Sequence, residues 1–208
     1  MRVDIWSDVV CPWCAIGAAR FERALAQFDG PIQVRLHPFQ LDPEAPVPGE
    51  PARRRYAKKF GDEAAAMLER VTEAASEEGL RFDFDRAITP NTFDAHRALG
   101  YARRDGADRV LEKALFTAYF SDGLDVSDRD VLERLATDAG CDGADLRRYL
   151  ESDAGVEEVT NELNSAFDRG IRGVPTFIFE EEFVVPGAVD TATFLRILQQ
   201  MSALSEST

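Results

Sequence analysis

The stretch Arg2-Val3-Asp4-Ile5-Trp6-Ser7-Asp8-Val9-Val10-Cys11-Pro12-Trp13-Cys14 decides the fold. Val3 and Ile5 alternate with Arg2 and Asp4, the period of a short strand over residues 2–7. A C-x-x-C pair follows at once, and a helical pattern then runs from about Pro12 to Phe28. Pro12 suits a first helical turn, where its missing N–H costs nothing. Ala18, Phe21, Leu25 and Phe28 recur at helical spacing and predict one apolar face, and Gly30 and Pro31 stop the helix. Ile32, Val34 and Leu36 alternate with Gln33 and Arg35 as a second strand. A connection of this length allows the two strands to pair in parallel through a right-handed crossover.

Outward from this unit the composition changes. Pro43, Pro46, Pro48 and Pro51 mark a loop. Residues from about 51 to 170 read as almost wholly helical. Leu68, Val71 and Ala75 form one apolar stripe; Val110, Leu111, Ala114, Leu115, Ala118 and Tyr119 form another. Val131, Leu135 and Ala139 follow Ser127, a predicted N-cap with Asp130 three residues on. Val156, Val159, Leu163 and Phe167 complete the block, in which only Phe82 and Phe84 suggest an extended piece. Strand signals return at Thr176–Phe179 and Phe183–Val185, joined by the acidic turn Glu180–Glu182. A final helix carries Phe194, Leu195 and Leu198. The expected architecture is α/β: a four-stranded mixed sheet domain from residues 1–41 and 161–208, interrupted by an all-helical insertion over 42–160.

The chain of 208 residues is 45% apolar and 30% charged, enough for an ordinary core. Its net charge of −14 repels phosphate backbones and anionic headgroups, so neither nucleic acid nor membrane is an expected partner. No run of about 18 apolar residues is present, and the N-terminus lacks the basic stretch, apolar core and cleavage site of a signal peptide. The expectation is a cytoplasmic protein, where structural disulfides are disfavoured. Three cysteines are then too few for a disulfide framework.

Cys11 falls where a strand ends and a helix begins, and the unpaired N–H groups and dipole of a helix start favour an anion there. A thiolate is such an anion. Cys14 lies almost one turn on, so the sulfurs can meet: one attacks a partner disulfide and the other resolves the mixed disulfide. Pro12 stiffens the turn, and Trp13 offers apolar surface to a substrate. Two other readings stay open at this point. A zinc site would need two more ligands, and the chain offers only Cys141, His37 and His96; the pair could also be two ordinary buried cysteines. Gly173-Val174-Pro175-Thr176 precedes the third strand, a position that suits a proline unable to donate to a sheet. His96 lies on a predicted helix with Ala95, Leu99 and Ala102, either as a hydrogen-bonded helix histidine or as a polar group facing a cleft. His37 reads as structural, Cys141 as an ordinary free thiol with an intermolecular disulfide or redox sensing as the alternative, and Glu180–Glu182 as a solvated turn.

Together, the C-x-x-C after strand one and Gly-Val-Pro before strand three resemble the thioredoxin superfamily. The intervening helical block is similar to its DsbA-like branch. Ile5-Trp6-Ser7-Asp8-Val9-Val10-Cys11-Pro12-Trp13-Cys14 and Asn91-Thr92-Phe93-Asp94-Ala95-His96 resemble the FrnE-like subfamily. The resemblance implies a thioredoxin-like fold and a thiol–disulfide oxidoreductase that reduces, forms or isomerises disulfides. Cys11 would be an exposed nucleophile, Cys14 a buried resolving thiol and Pro175 a cis residue facing them. The backbone of Val174 would pair with an extended substrate segment, and Pro12, Trp13 and His96 would line the substrate site. DsbA has a histidine where Trp13 stands; tryptophan supplies no cation, so a less oxidising couple than DsbA's is expected. The implied substrates are a disulfide-containing protein or a small-molecule thiol. No bound cofactor or metal is expected, glutathione or another thiol would be the redox partner, and the protein would be a monomer or homodimer. The resemblance extends to 2-hydroxychromene-2-carboxylate isomerases and kappa-class glutathione transferases, so a glutathione-dependent isomerase or transferase is the first alternative. Those sites typically place a serine where Cys11 stands. A noncatalytic peptide-binding module is the second alternative.

Overall fold

The computed structural model describes residues 1–205; residues 206–208, the end of the second segment expected for the sheet domain, lie outside the described residues. β1 (Arg2–Ser7) runs parallel to β2 (Gln33–Pro38) through the helix α1 (Pro12–Leu25). β5 (Thr176–Phe179) pairs antiparallel with β1, and β6 (Phe183–Pro186) with β5, giving the order β2-β1-β5-β6. This is the expected four-stranded mixed sheet. Between β2 and β5 lie α2 (Ala52–Phe60), α3 (Ala64–Glu77), α4 (Phe93–Ala102), α5 (Asp108–Thr117), α6 (Arg129–Asp138), α7 (Gly143–Glu151) and α8 (Val156–Asp168); α9 (Thr191–Ser205) closes the described chain.

Central position makes β1 buried on both faces. Val3 and Ile5 join Phe21 of α1, Phe177 and Phe179 of β5 and Phe194 of α9 in one core. Trp6 points the other way, to Phe39, Ile178 and Ala166 of α8. The alternation in β1 therefore separates two interiors rather than core from solvent. Asp4, on the α8 side, is buried with both carboxylate oxygens partnered: His37 Nε2 lies 2.7 Å from its Oδ1, and Arg2 Nε lies 2.8 Å from its Oδ2.

α1 is likewise shared. Phe21 and Ala24 face the sheet core, whereas Cys11, Cys14, Ala15 and Ile16 belong to a second, larger core built with the helical block. The single face expected from Ala18, Phe21, Leu25 and Phe28 is thus only half the story: Phe21 is central, and the other three flank it, partly buried.

Two local expectations are corrected. Phe82 and Phe84 form no strand; they pack on Phe120, with the Phe82 and Phe120 rings stacked at 4.2 Å. The only short pairing in this region is β3 (Glu50–Pro51) with β4 (Ile88–Thr89), too brief to leave a periodic signal. The cap of α6 is Asp128, whose carboxylate accepts the Asp130 N–H at 2.8 Å, because Ser127 is held by Asp125 instead. The β5–β6 turn uses positive φ at Glu180 and Glu181, with Glu182 N–H donating to the Phe179 carbonyl at 3.1 Å. Two non-glycine residues tolerate this backbone because Glu180 accepts the Arg2 N–H at 2.9 Å and Glu181 pairs with the Arg2 guanidinium.

Candidate active site

The end of β1, the start of α1 and the approach to β5 meet at one place. Cys11 caps α1 with extended backbone (φ −85°, ψ 114°), and its carbonyl accepts the N–H groups of Cys14 and Ala15 at 3.0 and 3.3 Å. Its own N–H donates to the Asp8 carbonyl at 3.0 Å, closing the turn from strand to helix. No acidic residue occupies the first turn of α1, so the positive end of the helix is left to the sulfur. The Cys11 thiol donates to the Val174 carbonyl at 3.6 Å, and the Val174–Pro175 peptide is cis. Residues 163 apart in sequence are thereby joined across the sheet edge.

The two sulfurs are neighbours and hydrogen-bonded, and both are free thiols. Burial pushes the Cys14 thiol well above its ordinary value; the hydrogen bond and the charge of Cys11 act in the same direction, as does the charge of Asp8. A hydrogen bond from the Asp8 backbone acts against them. Cys14 therefore rests protonated, as a resolving thiol must until a mixed disulfide forms beside it.

The exposure expected of Cys11 is corrected: it is only 3% exposed. Its sulfur lies at the floor of a groove of about 230 Å³, walled by Pro12, Trp13 and Val174 on one side and by Tyr56, Lys59, Phe60 and Tyr119 from the helical block on the other. The helices cover what an isolated sheet domain would leave open. Trp13, 43% exposed, and the neighbouring Leu41 and Phe60 give the mouth an apolar rim.

The structure brings Cys11, Pro12, Trp13, Cys14, Val174 and Pro175 together. His96 is not among the residues lining the groove; it is buried beneath it. Its Nε2 donates to the Phe39 carbonyl at 3.0 Å, which places the ring proton on that nitrogen, and lies 3.4 Å from Asp8 Oδ1. Asp8 is fully buried; its Oδ2 accepts the Leu41 N–H at 2.8 Å, and its Oδ1 has no hydrogen-bond partner. Sequence reasoning missed the groove's far wall and the acids below it. The five cations in residues 53–59 of α2 were a visible signal for Lys59, one of only three lysines. Glu112 offered none, sitting within an ordinary amphipathic helix.

The model of the DSBA-like thioredoxin domain family matches residues 2–199. The chain belongs to that family. That family is one of thiol–disulfide oxidoreductases and isomerases. The Bacillus subtilis protein YwbO is 27% identical over 197 residues, covering 93% of this chain and 94% of its own length. The crystal structure of a probable DsbA oxidoreductase from Streptomyces coelicolor is 35% identical, with a TM-score of 0.88 over 96% of this chain and 89% of that one. The cytosolic disulfide reductase DsbM from Pseudomonas aeruginosa, solved with GSH, shares the fold at 19% identity and a TM-score of 0.66, over 100% of this chain and 98% of its own. Among the described residues no helix is long and apolar enough to cross a membrane, and no cluster of three or more His, Cys, Asp or Glu could hold a metal ion.

Proposed function

We propose that this DSBA-like protein is a thiol–disulfide oxidoreductase that works through Cys11 and Cys14. The observation that carries the reading is the adjacency of two free sulfurs at the start of α1, one facing a groove and the other held protonated below it. The Cys11 thiolate attacks a substrate disulfide, forming a mixed disulfide and releasing one substrate sulfur as a thiolate that takes up a proton. Cys14 loses its proton and attacks Cys11 Sγ; the second substrate thiol leaves, and the pair ends as a disulfide. Two electrons pass to the substrate, and two equivalents of a thiol such as glutathione restore the dithiol. Trp13 and the apolar rim hold the segment carrying the substrate disulfide, and the backbone of Val174, beside Cys11, pairs with it in extended form. Trp13 adds no cation to favour the thiolate, and in a reducing cytoplasm the cycle runs toward reduction or isomerisation.

Removing Cys14 tests this. A Cys14→Ser protein should accumulate mixed disulfides through Cys11, detected as a mass adduct on the peptide carrying that residue, while Cys11→Ser should form none. A Cys14→Ser protein that traps nothing, with a parent that reduces no model disulfide, would refute the assignment. Activity retained by Cys11→Ser in the presence of glutathione would favour a glutathione-dependent isomerase or transferase instead.

A further inference from the structure

Cys14 can attack only after its proton has gone, and it is sealed from bulk water. Beneath it lies a cavity of about 20 Å³, room for about one water molecule. Cys14 and Pro175 line one part of this cavity, and Ser7 and Glu112 also line it. Glu112, from α5, is buried at the junction of two small cavities: the second, of about 10 Å³, is also lined by Ser7, His37, His96 and Arg103. At the surface end of the first cavity stand Glu22 of α1 and Arg109 of α5, which pair with each other.

We infer that Glu112 accepts the proton of Cys14, through a water in the cavity beneath the sulfur, when Cys14 resolves the mixed disulfide. This rests on the proposed function and adds the residue that makes its second half possible. The step balances simply: Cys14 S–H gives its proton to the cavity water as that water gives one to the Glu112 carboxylate. The resulting thiolate displaces the substrate sulfur from Cys11, and Glu112 stays neutral until its proton leaves. Of the two carboxylates that share this cavity with Cys14, Glu112 is the buried one; Glu22 is exposed and paired with Arg109.

The groups facing Glu112 make it a two-way carrier. Burial raises its carboxyl to about 7; the charges of Asp108 on its own helix and Glu22 on α1 add to that, while the Ser7 hydroxyl on β1 and the Arg109 charge oppose it. His37 of β2, His96 of α4 and Arg103 after α4 face it across the second cavity. A group near 7 can both take and return a proton at neutral pH. Asp8 is the rival acceptor. It lines neither cavity: its Oδ2 accepts the Leu41 N–H and its Oδ1 lies beside His96, so neither cavity connects it to Cys14.

The test separates the two chemical steps. Reduced protein in excess is mixed with 5,5′-dithiobis(2-nitrobenzoate): attack by Cys11 releases one coloured thiolate, and resolution by Cys14 releases the second. The second phase should rise with pH through an inflection near 7 that belongs to Glu112. In Glu112→Gln the first phase should be unchanged, and the second should be slowed about tenfold or more at pH 7 and lose the inflection, within the usual reach of a general base. Loss of the first phase in the parent would refute the proposed function itself. An intact first phase with an unchanged second phase in Glu112→Gln, or an inflection removed by Asp8→Asn rather than by Glu112→Gln, would overturn the assignment. If Glu112→Gln failed to fold, the parent's profile would decide, and a resolution step without an inflection between pH 6 and about 8 would count against it.

Discussion

Gly17 should be the position on α1 least tolerant of a side chain. A Cβ built there would stand 3.2 Å from Pro175 Cγ, 3.3 Å from Ala188 Cβ and 3.5 Å from Phe177 Cζ. The first two are shorter than the roughly 3.5–4.0 Å at which carbon atoms attract. Pro175 cannot swing aside: its Cγ is part of a ring, and its carbonyl accepts the Gly187 N–H at 2.8 Å. Gly17→Ala gains about 1 kcal/mol of helix propensity, but overpacking costs about 1–3 kcal/mol. The expected net loss is about 1 kcal/mol. Gly17→Val keeps little of the propensity gain and adds two methyl groups against the same ring, so about 3 kcal/mol is expected. Because Pro175 follows Val174, any shift that relieves the clash also moves the Val174 carbonyl from the Cys11 sulfur. Urea unfolding followed by circular dichroism gives the stability, and reduction of a model disulfide gives the activity. Disulfide reduction should fall in the order parent, Gly17→Ala, Gly17→Val. A Gly17→Val protein as stable and active as the parent would refute the close packing of α1 on the Val174–Pro175 segment.

Three other predictions follow from named contacts. Arg97 is buried and donates to the carbonyls of Tyr149, Leu150, Ser152 and Ala154, tying off the end of α7; Arg97→Met should cost about 3–5 kcal/mol in urea unfolding, and a loss under about 1 kcal/mol would show those carbonyls find other donors. Glu162, despite partial burial, is held down to about 2 by hydrogen bonding to His37 and the charge of Arg103; its folded value lies below its unfolded one, so its stabilisation is present above about 4.5 and is lost as pH falls toward about 2. Glu162→Gln should therefore flatten the acid limb of stability between those values while leaving the alkaline limb unchanged, and an unaltered acid limb would contradict it. Trp13→Ala should raise KM for apolar disulfides several-fold with little change in kcat, read from initial rates; an unchanged KM would remove Trp13 from the substrate surface.

How much was legible depended on whether a feature is local. Strand, C-x-x-C and helix are contiguous, and alternation and helical spacing revealed them; the mixed sheet followed from that unit and the hairpin after Pro175. The meeting of Cys11 with Val174 was implied only by family resemblance, since no local pattern links residues 163 apart. His96 illustrates the limit: helical spacing located it on α4, but its direction depends on β1 and Phe39 packing beside it, and it ends buried under the groove rather than within it. Asp4 and Glu112 were invisible for the same reason. Charged residues on amphipathic elements read as solvent-facing until a second layer covers them, here α8 over β1 and α5 beneath α1.

The central claim is that Cys11 and Cys14 form a working redox couple. The most direct measurement is to equilibrate the protein across glutathione redox buffers, trap with acid and alkylation, and weigh the peptides. The account predicts one reversible transition in which a single disulfide joins Cys11 to Cys14 while Cys141 stays a thiol. Two sulfurs that remain free, or that carry only glutathione without ever closing on each other, would contradict it.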